Sequence, residues 1–197
     1  MMASVLAILA GEVPMTAPTL ARRWTAKDLD RMEDASHYEL VDGQLVERTV
    51  SLISSDVAIN VLIQMGGYVQ RNNLGRKLNT ELGIRINPAD PDHTRRADGG
   101  FISWERLRTS GDASFLLVPP DLVVEVVSPS DIMSLVFAKV EEWLEHGVRV
   151  VWLVIPEQRR VEVHRLGQRP ILLLGDDEIT SEDILPGFRC SISAFFS

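Results

Sequence analysis

The spacing of apolar positions changes several times along the chain, and each change marks a predicted element. Alternating runs on both sides of Asp42-Gly43 predict a two-stranded ribbon over residues 37–48, because this dipeptide is a strong hairpin signal. Apolar residues between 55 and 72 recur at helical spacing and predict an amphipathic helix. Three runs with the composition of strands follow, over residues 77–86, 97–104 and 121–128.

The region after residue 128 predicts a helix followed by a buried strand. Ser128 is the expected N-cap, with Pro129 at the first helical position and Asp131 completing a capping box. Gly147 ends the helix, and the β-branched run over 148–155 predicts a strand buried on both faces. A strand, a helix and a strand at this spacing form a right-handed βαβ unit, so the two strands are expected to be parallel.

The order of these elements predicts an α/β fold. Its central sheet is expected to be mixed and flanked by helices, with β-hairpins towards both ends of the chain. The C-terminal hairpin pairs residues 161–165 with residues 171–174. The apolar tail from Leu185 onwards is expected to dock on the body of the domain.

One domain accounts for most of the chain. With 197 residues the chain is long enough to bury one substantial core, and we place this domain at residues 24–197. Its first element is a short helix capped by Thr25 and Asp28. Residues 1–23 are expected to be an N-terminal extension. The apolar start has no preceding Lys or Arg, which disfavours a signal peptide, and Met15 is an alternative start to Met1.

Glu125 is the most unusual residue of the predicted strands. It lies in the middle of the run Leu122–Val127, which is otherwise apolar and β-branched like a strand buried on both faces. A carboxylate buried there without a partner would strongly destabilise the fold. Glu125 is therefore expected to have a partner, a metal or a chemical role.

Lys139 is the matching anomaly in the helix that follows. On a helical wheel the apolar residues of this helix form one stripe facing the sheet, and Lys139 falls inside that stripe. The stripe comprises Ile132, Leu135, Val136, Val140, Trp143 and Leu144. A lysine in this position, next to a strand that buries Glu125, predicts that the two head groups meet.

Two further acids have strand-like neighbours, Glu39 in the first ribbon and Asp98 at the start of a strand. Carboxylates that converge from adjacent strands suit Mg²⁺, which binds few protein carboxylates and keeps several waters. A metal held in this way activates water, and a nearby lysine can orient that water or neutralise the transition state. From the residues alone, Asp98, Glu125 and Lys139 therefore support a site for metal-assisted phosphoryl transfer or hydrolysis.

Composition narrows the class of protein without identifying a partner. A hydrophobic content of 45% with 24% charged residues is typical of globular proteins. The net charge of -8 argues against a protein surface that is basic throughout and binds nucleic acid. Local clusters such as Arg95-Arg96 remain candidates for nucleic-acid contacts, and the alternative is that they are solvated surface charges. The single cysteine, Cys190, excludes an intramolecular disulfide framework and fits a reducing cytoplasm. No run approaches the roughly 20 apolar residues that span a bilayer, so no membrane association is expected.

Several common kinds of site have no sequence signal in this chain. It contains no Gly-rich phosphate loop, no zinc-type spacing of Cys or His and no Gly-x-Ser-x-Gly elbow. Nucleotide-driven chemistry, structural zinc and serine hydrolysis are therefore disfavoured.

The order of the singled-out residues resembles that of the Uma-type family of restriction-endonuclease-like proteins, part of the PD-(D/E)XK nuclease superfamily. The strict superfamily motif places its lysine two residues after the glutamate, where this chain has Val127. In the Uma-type family the lysine comes from the following helix, which is the position of Lys139. The resemblance covers roughly residues 24–190, and its matching segments are Tyr38–Glu47, Asp98, Pro120–Asp131, Lys139 and Gly147–Val154.

The resemblance implies a restriction-endonuclease-like core and a Mg²⁺- or Mn²⁺-dependent endonuclease that acts on DNA. Asp98 and Glu125 would be the metal ligands, Lys139 the displaced lysine and Glu39 an additional acidic residue of the site. Cleavage of both strands of a duplex favours a homodimer, because closed two-fold dimers are the commonest oligomers.

Two departures from the family pattern leave a second hypothesis open. Ala97 stands where the family has proline, and Gly99-Gly100 replace apolar strand residues, which would loosen the strand and displace Asp98. The alternative is a catalytically inactive protein of the same fold that binds nucleic acid or a protein partner.

Overall fold

The computed structural model describes residues 22–87, 89–109 and 115–197. The helices within these ranges are α1 (Ala26–Leu29), α2 (Leu52–Arg71), α3 (Trp104–Leu107) and α4 (Met133–Glu145). The strands are β1 (Tyr38–Val41), β2 (Gln44–Glu47), β3 (Gly75–Leu78), β4 (Gly99–Ser103), β5 (Leu122–Val126), β6 (Val150–Ile155), β7 (Arg160–His164), β8 (Ile171–Leu174), β9 (Glu178–Ser181) and β10 (Leu185–Ser191). Short 3₁₀ helices cover Ala35–His37, Pro156–Gln158 and Ile192–Phe195. The N-terminal extension expected over residues 1–23 lies, except for its last two residues, outside the described part of the chain.

A six-stranded sheet forms the centre of the domain, in the order β3-β4-β5-β6-β7-β8. β5 and β6 are parallel, with Val124 opposite Trp152, and the other neighbouring strands are antiparallel. The mixed sheet and the parallel pair around α4 are therefore confirmed. The predicted C-terminal hairpin, β7 with β8, extends the edge of this sheet, while β9 and β10 form a further two-stranded pair.

Apolar cores lie on both faces of the central sheet. Alternate residues of a strand point to opposite faces, and in β5 Leu122, Val124 and Val126 belong to the core on the α2 side. Val123 belongs to the core that contains the buried residues of α4. Glu125 shares the alternation of Val123, so its side chain points towards α4, the helix that carries the candidate lysine.

The N-terminal ribbon and the short helix before it form as predicted. Asp42 and Gly43 have φ angles of 51° and 77°, which the two-residue turn between β1 and β2 requires. The side chain of Thr25 accepts the N–H of Asp28, and the Asp28 side chain accepts the N–H of Thr25 in return. Both features are encoded by a few neighbouring residues.

Helix α4 begins later than predicted, at Met133 rather than at Pro129. Asp131 does accept the backbone N–H of Ser128 at 2.8 Å. The hydroxyl of Ser128, however, bonds to the hydroxyl of Ser54 in α2 at 2.9 Å instead of capping a helix. The Ser128 hydroxyl, which the sequence pattern assigned to helix capping, therefore makes a tertiary contact with another buried hydroxyl.

The late start of α4 shortens the apolar stripe that faces the sheet. Val140, Trp143 and Leu144 are buried as predicted, whereas Ile132 and Leu135 are 63% and 65% exposed. The first part of the predicted stripe was therefore wrong, because Ile132 just before the helix and Leu135 in its first turn line the open cavity instead of the core.

The long strand predicted over residues 77–86 is wrong. The chain leaves β3 after Leu78 and turns at residues 80–81, whose carbonyls accept hydrogen bonds from the side chains of Arg48 and Arg96. Beyond the turn, the described residues pair only through isolated bridges at Ile84. Two arginines from other parts of the chain thus stabilise a turn where the residue pattern favoured a strand.

Helix α2 begins at Leu52, earlier than predicted, after a capping box formed by Ser51 and Ser54. By length and composition it is apolar enough to cross a membrane, contrary to the expectation that no segment approaches a span. Its inner face packs into the core at residues such as Val61 and Met65, which accounts for part of that composition. Its outer face exposes Leu52, Ile53, Ile59 and Ile63.

Gly99 and Gly100 keep β4 in place rather than loosening it. Both residues pair in register with β5. A Cβ atom on Gly99 would approach Leu62 of α2 to 2.9 Å, so the missing side chain lets α2 pack closely on the sheet. Just before these glycines, the N–H of Asp98 donates to the carbonyl of Val124 at 3.0 Å. The strand therefore remains paired up to Asp98.

Candidate active site

Glu125 lies in β5 with a buried carboxylate, only 7% exposed. Trp143 Nε1 donates to Glu125 Oε1 at 2.7 Å, and Lys139 Nζ donates to Glu125 Oε2 at 3.0 Å. Lys139 and Trp143 are one helical turn apart on α4, so both reach the same carboxylate. The contact predicted between the head groups of Glu125 and Lys139 is present.

Lys139 is held by three acceptors. Besides Glu125, its Nζ contacts Glu39 Oε1 at 2.9 Å and donates to the backbone carbonyl of Arg96 at 2.8 Å. Burial by itself would lower the pKa of Lys139, but the carboxylates of Glu125, Glu39 and Asp98 outweigh burial and hold that pKa above its usual range. The ammonium group therefore stays protonated.

Glu39, in β1, is buried instead of lying exposed on the ribbon. Its Oε1 accepts the backbone N–H of Arg96 at 2.8 Å, and its Oε2 accepts from Arg95 Nη1 at 2.9 Å. Burial opposes ionisation of Glu39, but the charges of Lys139 and Arg95 prevail and hold its pKa below the usual range. Glu39 is thus a fixed anion against which the lysine is positioned.

Asp98 immediately precedes β4, and its carboxylate lies beside the end of β5. Asp98 Oδ2 accepts the backbone N–H of Val126 at 2.8 Å, and Oδ1 accepts from Arg48 Nη2 at 2.8 Å. Arg48 is also anchored through Nη1, which donates to the carbonyl of Thr80 at 3.0 Å. One oxygen of Asp98 is therefore paired with a cation supplied by the protein itself.

The structure brings all four predicted site residues to one cavity of about 280 Å³, lined by Glu39, Asp98, Glu125 and Lys139 among others. Burial raises the pKa of Glu125 to about 7 against the opposing charge of Lys139, and the charges of Asp98 and Glu39 add to the rise. Burial therefore disfavours the ionised form of Glu125, and a further cation in the cavity would favour that form.

Comparison with protein families decides the class of the chain. The model of the family described as "Uma2: Putative restriction endonuclease" matches residues 26–193, which is most of the sequence. The chain belongs to the Uma2 family. A search of curated proteins gave no match for this Uma2 protein.

A solved structure shares the fold of this Uma2 protein. It is a crystal structure from Anabaena variabilis ATCC 29413, described as "a putative nuclease belonging to DUF820". The two chains are 21% identical and superpose with a TM-score of 0.75, over 87% of the Uma2 chain and 97% of the other. With the family match, this likeness confirms the predicted nuclease-type α/β fold.

Asp98 and Glu125 bring two carboxylates to this cavity, the type of ligand that hard divalent metals prefer. Each carboxylate oxygen that accepts one protein hydrogen bond retains further acceptor capacity. Mg²⁺ needs only one or two protein carboxylates and completes its coordination sphere with water and substrate oxygens. Two carboxylates on an open cavity therefore fit the metal without a third acidic ligand.

A separate group of side chains that could bind a metal lies outside this cavity. Asp42, Asp90 and His93 each offer one ligand atom, and the three atoms lie within 4.8 Å of one another. His93 lies in a turn-rich segment, yet it is only 9% exposed and its Nε2 donates to Glu142 Oε1 at 2.6 Å. Burial of this histidine depends on α4, which the local turn pattern does not reveal.

Residues that the sequence did not assign to the site complete its structure. The Arg95-Arg96 pair, a candidate nucleic-acid cluster, is instead internal: Arg95 pairs with Glu39 and Glu142, and Arg96 is 3% exposed. Trp143 was predicted as a core residue, and its spacing of four from Lys139 was a signal for its second role. Arg48 gave no such signal, because its partner Asp98 is 50 residues away in sequence.

Proposed function

We propose that this Uma2 protein is a metal-dependent endonuclease that hydrolyses DNA phosphodiester bonds. Asp98 and Glu125 would hold Mg²⁺ or Mn²⁺. The observation that carries the proposal is the position of Lys139, whose ammonium bridges Glu125 and Glu39 in the cavity that Asp98 also lines. Membership of a family described as restriction endonucleases supports DNA as the substrate.

The chemistry of the site follows from the charges of its residues. A bound divalent metal would supply a Lewis acid for a phosphoryl oxygen and lower the pKa of a bound water. Lys139 is too strongly protonated to act as a general base, since three carboxylates hold its pKa above the usual range. We therefore assign it to electrostatic stabilisation of charge on the transferring phosphoryl group.

Glu39 has a positioning role in this proposal. Its pKa is held low, so it stays ionised and keeps Lys139 Nζ at 2.9 Å. Arg95 fixes the other oxygen of Glu39 at 2.9 Å. Loss of Glu39 is expected to release the lysine without removing a metal ligand, so it should impair turnover more than metal affinity.

We further propose that the protein acts in the cytoplasm and as a homodimer. A single cysteine, buried at position 190, is consistent with a reducing compartment. Two cavities related by a two-fold axis would allow both strands of a duplex to be cut. Light scattering of the purified protein measures the oligomeric state directly, and a monomer at working concentrations would refute the dimer.

Cleavage of supercoiled plasmid in Mg²⁺ or Mn²⁺ tests the proposed activity. We expect nicking or linearisation that stops with EDTA and falls by about 100-fold or more in Asp98→Asn and Glu125→Gln. Asp56→Asn, an exposed acid on α2, is the matched control and should cleave like the wild type. Activity that is unchanged in both site variants, or that persists in EDTA, would refute the assignment.

A second candidate function is a catalytically inactive module that binds a partner. The oxygens of Asp98 and Glu125 already have protein donors, and aliphatic side chains line the cavity mouth, with Ile132 and Leu135 largely exposed. Titration calorimetry separates the two functions. Absence of Mg²⁺ and Mn²⁺ binding, together with DNA or protein binding that does not depend on metal, would favour the inactive module.

A further inference from the structure

Asp42, Asp90 and His93 are brought together by the backbone rather than by flexible side chains alone. Leu40 and Thr94 exchange two backbone hydrogen bonds, of 2.9 Å and 2.8 Å, which join β1 to the segment before β4. Asp42 lies two residues after Leu40, and His93 lies one residue before Thr94. The His93 N–H also donates to the carbonyl of Asp90 at 3.0 Å. The grouping of the three side chains is therefore a fixed feature of the fold.

One ring nitrogen of His93 is engaged by a carboxylate, as in many metal-bound histidines. Its Nε2 is taken by Glu142 at 2.6 Å, and Glu142 is itself held by Arg95, whose Nε donates at 3.0 Å and 3.1 Å to the two carboxylate oxygens. A carboxylate on one ring nitrogen fixes the tautomer and leaves the lone pair on the other nitrogen, which is the usual arrangement around metal-bound histidines. Nδ1 of His93 is thus the nitrogen left to bind a ligand.

The two aspartates of the group form no ion pair with a lysine or arginine among the described residues, although the side chain of Arg23 lies beside Gly43. Neither Asp42 nor Asp90 forms a salt bridge with a described side chain, although Asp90 Oδ1 accepts the backbone N–H of Asp92 at 3.1 Å. Asp92 is engaged elsewhere, because its Oδ1 accepts the N–H of Ala26 at the start of α1 at 2.8 Å. Asp42 is exposed and Asp90 is partly exposed, so both carboxylates are open to a cation from solvent.

We propose that Asp42, Asp90 and His93 form a second metal site, distinct from the cavity of Asp98 and Glu125, for a divalent transition metal such as Zn²⁺. One imidazole nitrogen with two carboxylate oxygens is a donor set for a borderline metal, whereas Mg²⁺ prefers oxygen ligands alone. Water would complete the coordination. This site does not depend on nuclease activity, so it stands or falls separately from the proposed function.

Such a metal would stabilise one wall of the candidate active site. It would join the turn between β1 and β2 to the segment that carries His93. His93 contacts Glu142 at 2.6 Å, and Arg95 donates to Glu142 at 3.0 Å. Arg95 also donates to Glu39 of β1 at 2.9 Å, so the contacts run from the metal site to the candidate active site. Zn²⁺ is therefore expected to raise the melting temperature of the whole domain.

Calorimetry with Zn²⁺ on the full chain, with Mg²⁺ in excess to occupy the oxygen-only site, tests the proposal. We expect one Zn²⁺ per chain in the wild type and in Asp98→Asn. Affinity should fall at least about tenfold in Asp42→Asn, which keeps the shape of the residue and tolerates the positive φ of the turn. Binding should be lost in His93→Gln. The exposed histidine variant His37→Gln is the control and should bind Zn²⁺ like the wild type.

Two further readouts keep the test decisive if His93→Gln folds poorly. Co²⁺ in place of Zn²⁺ should give visible absorption bands that Asp42→Asn weakens, and Zn²⁺ should raise the melting temperature of the wild type but not of Asp42→Asn. Equal Zn²⁺ affinity in the wild type and Asp42→Asn would overturn the site. Loss of Zn²⁺ binding in Asp98→Asn alone would place the metal in the other cavity and would equally overturn it.

Discussion

Replacing Lys139 with Met is the most direct perturbation of the buried charge network. Methionine keeps a straight apolar side chain but removes the ammonium that contacts Arg96 O, Glu39 and Glu125 at 2.8 Å, 2.9 Å and 3.0 Å. Glu39 would keep Arg95 as a counter-charge, whereas Glu125 would keep only the N–H of Trp143. Glu125 is therefore the group that becomes uncompensated.

The stability lost in Lys139→Met depends on pH because Glu125 can become neutral by taking up a proton. Its pKa, raised from 4.5 to about 7, already means that ionisation in the folded protein costs roughly 3 kcal/mol, at about 1.4 kcal/mol per pKa unit. The pKa of Glu125 is higher in the folded protein than in the unfolded chain, so the stability contributed by this group is fully present below pH 4.5. That contribution is lost as the pH rises through about 7, where Glu125 ionises in the folded protein. Without Lys139 the pKa rises further. We expect Lys139→Met to cost about 1 kcal/mol at low pH, from lost hydrogen bonds, and about 2 kcal/mol at pH 8, because protonation limits the extra cost of Glu125 to about 1.4 kcal/mol per pH unit above a pKa of about 7.

Urea unfolding followed by tryptophan fluorescence at pH 5, 6, 7 and 8 measures this difference as the free energy of unfolding of each protein. Lys27→Met, at an exposed lysine of α1, is the control and should change stability by less than about 0.5 kcal/mol at every pH. A cost for Lys139→Met that is the same at pH 5 and pH 8, or below about 1 kcal/mol at pH 8, would refute the reasoning.

Two further predictions use matched pairs within the chain, both measured by urea unfolding. Trp143→Phe removes the N–H bonded to Glu125 and should cost about 1–3 kcal/mol more than Trp152→Phe. The reason is that the equally buried Trp152 Nε1 has no hydrogen-bond partner among the described residues. Equal costs for the two variants would contradict the role of the bond to Glu125. Gly99→Ala should cost about 1–3 kcal/mol, since its Cβ would come within 2.9 Å of a methyl group of Leu62, which would have to shift. Gly67→Ala, which meets only the flexible end of an arginine side chain at 3.2 Å, should be neutral or stabilise the protein by up to about 1 kcal/mol; a Gly99→Ala variant as stable as Gly67→Ala would show that the packing is looser than the structure indicates.

The sequence by itself determined the elements that depend on neighbouring residues. The turn at Asp42-Gly43 forms because these residue types tolerate positive φ, and β6 is a buried strand because its residues are apolar and β-branched throughout. The meeting of Glu125 and Lys139 also followed from local rules. Strand alternation directs Glu125 to one face of the sheet, and the helical period turns Lys139 towards the same face.

Only the tertiary structure decided contacts between distant parts of the chain. Arg48 reaches Asp98 across 50 residues, and Ser128 bonds to Ser54 across 74 residues instead of capping α4. His93 is buried because α4 presents Glu142 to it. Propensity and periodicity depend on a residue and its near neighbours, whereas these pairings depend on how two faces of the sheet are covered. The sequence therefore predicted the candidate acids and lysine, and the packing of α2 and α4 decided what surrounds them.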